Sequence, residues 1–109
     1  MDHPTPADCV NLRHMFIHIF GFRWKSQATD ADKARMRKEI LAFRNVIPGL
    51  AAVNVGRNLS ERGQGYEFCG LMTFTKKEMF DAYVTHPAHT ALLEWLVPLI
   101  DAVELDFEA

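Results

Sequence analysis

Nine consecutive residues near the start of the chain set the strongest constraint on its fold. Leu12-Arg13-His14-Met15-Phe16-Ile17-His18-Ile19-Phe20 is rich in aromatic and β-branched side chains and has the length of a strand. With a period of two, one face carries Leu12, His14, Phe16, His18 and Phe20, and the other Arg13, Met15, Ile17 and Ile19. Both faces are largely apolar, so the strand must be covered on both sides. Any fold for this chain has to place one layer above this strand and a second layer below it.

The periodicities that follow supply the first layer. Thr29 is placed to cap a helix, with Asp30 and Asp32 where the helix dipole favours acids. Met36, Ile40, Phe43 and Ile47 then form one stripe of an amphipathic helix, which Pro48-Gly49 ends. Lys33, Arg37, Lys38 and Arg44 lie off the stripe and form its solvated face. Residues 50–57 read as a second strand, with Ala51, Val53 and Val55 on one face. A loop rich in Gly, Ser and Asn covers residues 58–65, and a third strand covers 66–75, with Tyr66, Phe68, Met72 and Phe74 alternating. Met79, Phe80 and Tyr83 share a face of a short helix. It breaks at His86-Pro87, because the residue before a proline disfavours the helical region. Leu92, Trp95, Leu96 and Leu99 make a further helical stripe. Val103, Leu105 and Phe107, alternating with Glu104, Asp106 and Glu108, give the cleanest strand pattern in the chain.

This order predicts an α+β, ferredoxin-like βαββ(αα)β subunit with a four-stranded antiparallel sheet and its helices on one face. The other face stays bare in a monomer and carries several of the large apolar residues. An exposed patch of that kind marks a protein interface, and a homodimer with sheet packed on sheet supplies the missing second layer. Charge is also uneven: all twelve basic residues lie between Arg13 and Lys77, and residues 78–109 carry seven acids and no Lys or Arg. Such a division is either solvated on a monomer or matched across a subunit contact.

Composition excludes several function classes. At 109 residues, 49% apolar and 24% charged, the chain reads as one globular domain over residues 11–109 after a loose arm at residues 1–10. A net charge of −2 argues against a nucleic-acid partner bound through phosphate neutralisation. No apolar run approaches the roughly 20 residues that cross a bilayer, so no membrane partner is expected. The first residues have neither the basic start nor the apolar stretch of a secretory signal. Cys9 and Cys69 fit neither a disulfide framework nor a CxxC site, and the expected location is cytoplasmic, with reduced thiols.

Histidines carry most of the chemical signal. His14 and His18 share a strand face about 13 Å apart, too far for one metal ion with ligands near 2 Å. Each is either a cavity-lining group or a hydrogen-bonded core histidine. His86-Pro87-Ala88-His89 lacks a Cys or acidic partner at zinc-ligand spacing, so no metal is expected. His86, at the helix break, suits a structural role on free backbone groups. His89 opens the next helix, and an imidazole facing a pocket there titrates near neutral pH and can donate or accept a proton. Tyr83 offers an apolar body with a polar tip, suited to a pocket or to packing with its hydroxyl at the surface. Gly63-Gln64-Gly65 precedes a strand, so no helix N-terminus stands there to hold phosphate. No Ser or Cys stands in a nucleophile context such as GxSxG, and Cys69 reads as a small buried apolar residue.

Taken together, Arg13-His14 opening an apolar strand, Gly56-Arg57-Asn58-Leu59-Ser60, Gly65-Tyr66, and Asp81-Ala82-Tyr83 running into His86-Pro87-Ala88-His89 resemble the stress-responsive A/B barrel (Dabb) family. The closing Val103-Glu104-Leu105-Asp106-Phe107 fits its last strand, so the resemblance spans about residues 12–108. It implies a ferredoxin-like subunit pairing into a dimeric α+β barrel. Plant polyketide cyclases of the family, of the olivetolic-acid type, perform a cofactor-free aldol cyclisation. Their catalytic tyrosine and the second histidine of HPAH match Tyr83 and His89, and a strand-one histidine matches His14. The chain departs at Phe68, where the cyclase pattern has a histidine, and at His18, where the family is usually apolar. Both changes alter a pocket's polarity.

The resulting expectation is a homodimer with a mainly apolar pocket between sheet and helices. It would bind a small apolar or aromatic molecule and perform proton transfer next to a carbonyl without a cofactor or metal. His89 would be the acid or base and Tyr83 the group that holds an oxygen, while His14, Phe16, His18, Phe68 and Trp95 line the cavity. The alternatives are a non-catalytic stress or structural oligomer, and a cofactor-free monooxygenase or isomerase of the dimeric α+β barrel group.

Overall fold

The structure is a computed structural model that describes residues 15–109. The expected arm at residues 1–10 and His14 lie outside the described residues. Strand β1 runs Phe16–Trp24, helix α1 Asp30–Ala42, β2 Leu50–Arg57 and β3 Phe68–Phe74. Helices α2 (Lys77–Val84) and α3 (Pro87–Leu96) precede β4, Ile100–Glu108. The four strands form one antiparallel sheet in the order β2-β3-β1-β4. This is the expected α+β, ferredoxin-like arrangement, with the helices on one face.

Strand β1 continues past the expected end at Phe20 to Trp24. Its pairing with β4 holds from Phe16↔Glu108 to Trp24↔Ile100, so hydrogen bonds carry the strand through Gly21. Phe22 also prolongs the buried face of Phe16, His18 and Phe20. The third strand is shorter than expected. Tyr66 and Glu67 belong to the approach, where the Glu67 amide donates to the Phe22 carbonyl at 2.9 Å. Ala51 does not share a ladder face with Val53 and Val55, because the β2 register shifts between Leu50 and Ala52.

Helix α1 starts as its sequence requires. The Thr29 hydroxyl accepts from the Asp32 amide at 3.1 Å, and the Thr29 amide donates to the Asp32 carboxylate at 2.9 Å. These bonds hold the Asp32 carboxyl below its usual range, the backbone bond from Thr29 contributing most. The helix tightens into a 3₁₀ turn at Phe43–Asn45, before Pro48-Gly49 is reached. Met36, Ile40, Phe43 and Ile47 are nonetheless all buried, as the stripe demands. They meet Phe16, Phe20, Phe68, Met72 and Phe74 from the sheet in a single core.

Opposite partners in the antiparallel ladders share a face, which fixes what each side of the sheet presents. Ile17 stands opposite Phe107, Ile19 opposite Leu105, and Gly21 opposite Val103, all away from the helices. Val103, Leu105 and Phe107 are 40%, 60% and 49% exposed, which makes this face an uncovered apolar surface. The acids of β4 point the other way: Asp106 lies opposite His18, and Glu104 opposite Phe20, on the helix side.

Candidate functional site

Between the sheet and α2–α3 lies a cavity of about 390 Å³. Three elements bring its polar groups together. Strand β1 supplies His18, the end of α2 supplies Tyr83, and the first turn of α3 supplies His89. Glu104 enters from β4, and Phe20, Phe22, Ile40, Met72, Leu92 and Leu96 make the walls mainly apolar.

The break between α2 and α3 sets the geometry of Tyr83 and His89. His86 caps α3, its Nδ1 accepting from the Ala88 amide at 3.0 Å, and Pro87 occupies the first turn. His86 therefore has the structural role expected of it. The chain turns so that the Tyr83 and His89 rings lie 4.1 Å apart between centroids, inclined by 31°. Tyr83 is 5% exposed and packs its ring against Phe74 and Phe43. Burial raises its phenol far above the usual value, and the Glu104 carboxylate adds to the rise. The group in the cavity is thus the neutral hydroxyl, a donor.

The tautomer of His89 follows from one bond. Its Nδ1 lies 3.0 Å from the Val84 carbonyl oxygen, which can only accept, so Nδ1 carries the proton. Neutral His89 then has Nε2 as a free base. Burial pushes its pKa below the ordinary 6.5, against a smaller opposing effect of the Val84 bond, so the neutral form prevails at pH 7. His18 is fixed likewise: it is 5% exposed, and its Nδ1 meets the Asp106 carboxylate at 2.5 Å.

The residues singled out in the sequence divide accordingly. Tyr83, His89 and His18 come together at this cavity. Phe16 stacks on Phe80 at 4.5 Å in the core beside it. Phe68 lines a separate groove on the other side of the Phe22 ring. Trp95 lies outside the cavity, between α3 and α1, where its indole N–H donates to Glu39 at 3.3 Å and the Arg35 guanidinium covers its ring at 4.2 Å. His14 is outside the described residues. Asp106 and Glu104 were absent from the sequence expectation, although the alternation over residues 103–108 placed them together on one face. Among the described residues no group of three His, Cys, Asp or Glu is placed to hold a metal ion. No helix among them is long and apolar enough to cross a membrane.

Residues 16–109 match the stress-responsive A/B barrel domain, Dabb, across nearly all of the chain. The chain belongs to the Dabb family. Olivetolic acid cyclase of Cannabis sativa is 28% identical over 74 residues, which cover 66% of this chain and 73% of the cyclase. A dimeric ferredoxin-like protein of unknown function from Thermobifida fusca is 26% identical, with a TM-score of 0.76 over 87% of this chain and 91% of its own. Hydroxynitrile lyase from Passiflora edulis has a TM-score of 0.82 at 19% identity, over 89% and 94% of the two chains, a likeness of fold. Proteins similar to this chain in sequence or in fold thus include named enzymes with different reactions, so the activity of this Dabb domain has to be argued from its own cavity.

Proposed function

We propose that this Dabb domain is a homodimeric, cofactor-independent acid–base enzyme that closes a ring in a small polyketone by aldol addition. The observation that carries this reading is the pairing of Tyr83 and His89, a neutral donor beside a free imidazole base, in an apolar cavity. The similarity to olivetolic acid cyclase supports it. A volume near 390 Å³ is within the usual range for a small-molecule site.

In this reading His89 Nε2 takes a proton from a carbon between two carbonyls. The carbanion attacks a further carbonyl of the same substrate, and the Tyr83 hydroxyl donates a hydrogen bond to the oxygen that gains charge. The imidazolium returns its proton to that oxygen. No redox step is needed. His18, held by Asp106, and Glu104 set the polarity of the inner wall.

The homodimer reading rests on the uncovered apolar face of Ile17, Ile19, Val103, Leu105 and Phe107, and on the dimeric description of the Thermobifida fusca protein. The proposed location is cytoplasmic, in keeping with cysteines that fit no disulfide framework. The test of the activity is incubation with linear poly-β-ketone thioesters, with mass-spectrometric detection of cyclised product. His89→Ala should lower the rate by more than about a hundredfold, as for a true acid–base residue. An unchanged rate in that variant would overturn the assignment.

A non-catalytic role has one observation in its favour. The His89 bond to Val84 and the His86 bond to Ala88 tie the α2–α3 corner together and would serve a purely structural protein equally well.

A further inference from the structure

A larger cavity than the one at Tyr83 and His89 lies between α1 and the segment joining β2 to β3, a groove of about 580 Å³. Helix α1 contributes Lys33 and Arg37 to its wall, and the end of β2 contributes Arg57. Lys33 and Arg37 stand one helical turn apart, where like charges repel. Arg57 adds a third positive charge from the facing strand. Among the described residues none of the three has an ion-pair partner, whereas the adjacent Arg35 is held by Glu39 at 2.6 Å. Glu67 is the one carboxylate on the groove wall, which leaves the site net positive. The protein as a whole carries a net charge of −2, so this concentration of cations runs against its overall balance.

The remaining walls are aromatic and already fixed. The Trp24 ring lies beneath Lys33 Nζ at 5.7 Å, while the Tyr66 ring turns to the other face of the sheet, beside Gly21 and beneath the Arg23 guanidinium at 4.5 Å. The Asn58 amide nitrogen donates to the Tyr66 carbonyl at 2.8 Å, and Asn58 Oδ1 accepts from the Ser60 amide at 3.0 Å. Gly65 turns the chain with φ of +82°, a backbone conformation that suits glycine. A site fixed in this way loses little freedom when it is filled. Arginine guanidinium groups match the planar geometry of carboxylate and phosphate, and aromatic faces accept a flat ring.

We propose that this groove binds a small, ring-bearing organic anion. Its phosphate or carboxylate lies among Lys33, Arg37 and Arg57, and its ring rests against Trp24. Phe22 lines the inner cavity and Phe68 the groove, and their stacked rings, 6.0 Å apart, stand between the two sites. Binding in the groove therefore does not depend on catalysis at His89.

The test is a nitrogen-15 NMR titration of the full chain with three probes. Adenosine 5′-monophosphate presents a phosphate, 2-naphthoate a carboxylate, and 2-naphthalenemethanol the ring without a charge. At least one anion should shift the Trp24 indole N–H and the Gly65 amide saturably, and the tighter of the two identifies the acidic group. Arg37→Gln/Arg57→Gln should weaken that binding at least about tenfold, while Arg44→Gln, the same substitution at an exposed site elsewhere, should leave it unaltered. The proposal is overturned if neither anion saturates, if the neutral probe binds as tightly, if the double variant binds like wild type, or if Arg44→Gln weakens binding equally. Far-UV circular dichroism of each variant establishes that the fold is retained.

Discussion

His18 and Asp106 face each other across β1 and β4, and their side chains meet at 2.5 Å on the helix side of the sheet. A histidine 5% exposed is thereby held in one orientation by a carboxylate from the last strand of the chain. The pair is local in space and 88 residues apart in sequence, so it ties the closing strand to the start of the fold.

Removing one partner leaves the other without its bond in a confined place. Asp106→Leu and His18→Leu should each destabilise the fold by about 1–3 kcal/mol, whereas His18→Leu/Asp106→Leu should recover most of the loss. Urea unfolding of the single and double variants at one protein concentration measures both quantities. A double variant as unstable as the sum of the singles would show that the contact contributes little.

The depressed pKa of His89 has a consequence for stability with a definite sign. Between the ordinary value of 6.5 and the lower folded value, the unfolded chain binds more protons at this position than the folded one. Stability from this group is therefore full above pH 6.5 and falls as pH drops through that interval. His89→Gln should flatten that limb of a plot of unfolding midpoint against pH. NMR titration of the imidazole should give a value below that of a free histidine.

How much of this was legible in the sequence depends on whether a residue's partner is near it in the chain. The Thr29 cap, the Met36–Ile47 stripe and the His86 cap were readable because each depends on neighbours within a few residues. Tyr83 and His89 were readable as a pair because six residues and one helix break bring them together. The helical stripe of Trp95 gives its burial but not which neighbour covers it, and Glu39 and Arg35 on α1 do so. The match of Phe68 to a family position points to the pocket, but in the fold Phe68 lines the neighbouring groove, stacked on Phe22. Asp106 escaped notice because polar residues alternating with Val103, Leu105 and Phe107 read as a solvent face. The sheet reverses that sense: the acids turn towards the helices and the apolar residues outward.

Gly70 shows how closely the core dictates one position. A Cβ there would overlap the Phe20 ring, which lies directly over this part of β3. Gly70→Ala should displace that ring from a well-packed core and lower stability by about 1–3 kcal/mol. Thermal unfolding checks the size of the loss, and Gly56→Ala, with nothing within 4 Å of its added carbon, is the matched control.

Leu105 is 60% exposed at the middle of the apolar face, opposite Ile19. If that face joins two copies, Leu105→Asp places a charge in the joint and should raise the dimer dissociation constant at least about tenfold. Sedimentation at several concentrations reads the change directly. The midpoint of thermal unfolding should also become independent of protein concentration once the variant is monomeric. Equal sedimentation of wild type and variant would mean that copies do not meet through β4.

Tyr83→Phe separates the two readings of the cavity most cleanly. The ring contacts with Phe43, Phe74 and His89 survive the change, and no described residue bonds the hydroxyl that is lost. Stability should therefore move by no more than about 0.5 kcal/mol, because no protein hydrogen bond is broken. Cyclisation should nonetheless slow by about a hundredfold, since the donor to the charged oxygen is gone. His89→Ala differs, because it also removes the bond to Val84, and it should lose both rate and about 0.5–1.5 kcal/mol of stability. Thermal unfolding and product formation, measured on the same preparations, give the comparison. A Tyr83→Phe variant that is destabilised yet cyclises at the wild-type rate would assign the hydroxyl to the architecture and remove it from the chemistry.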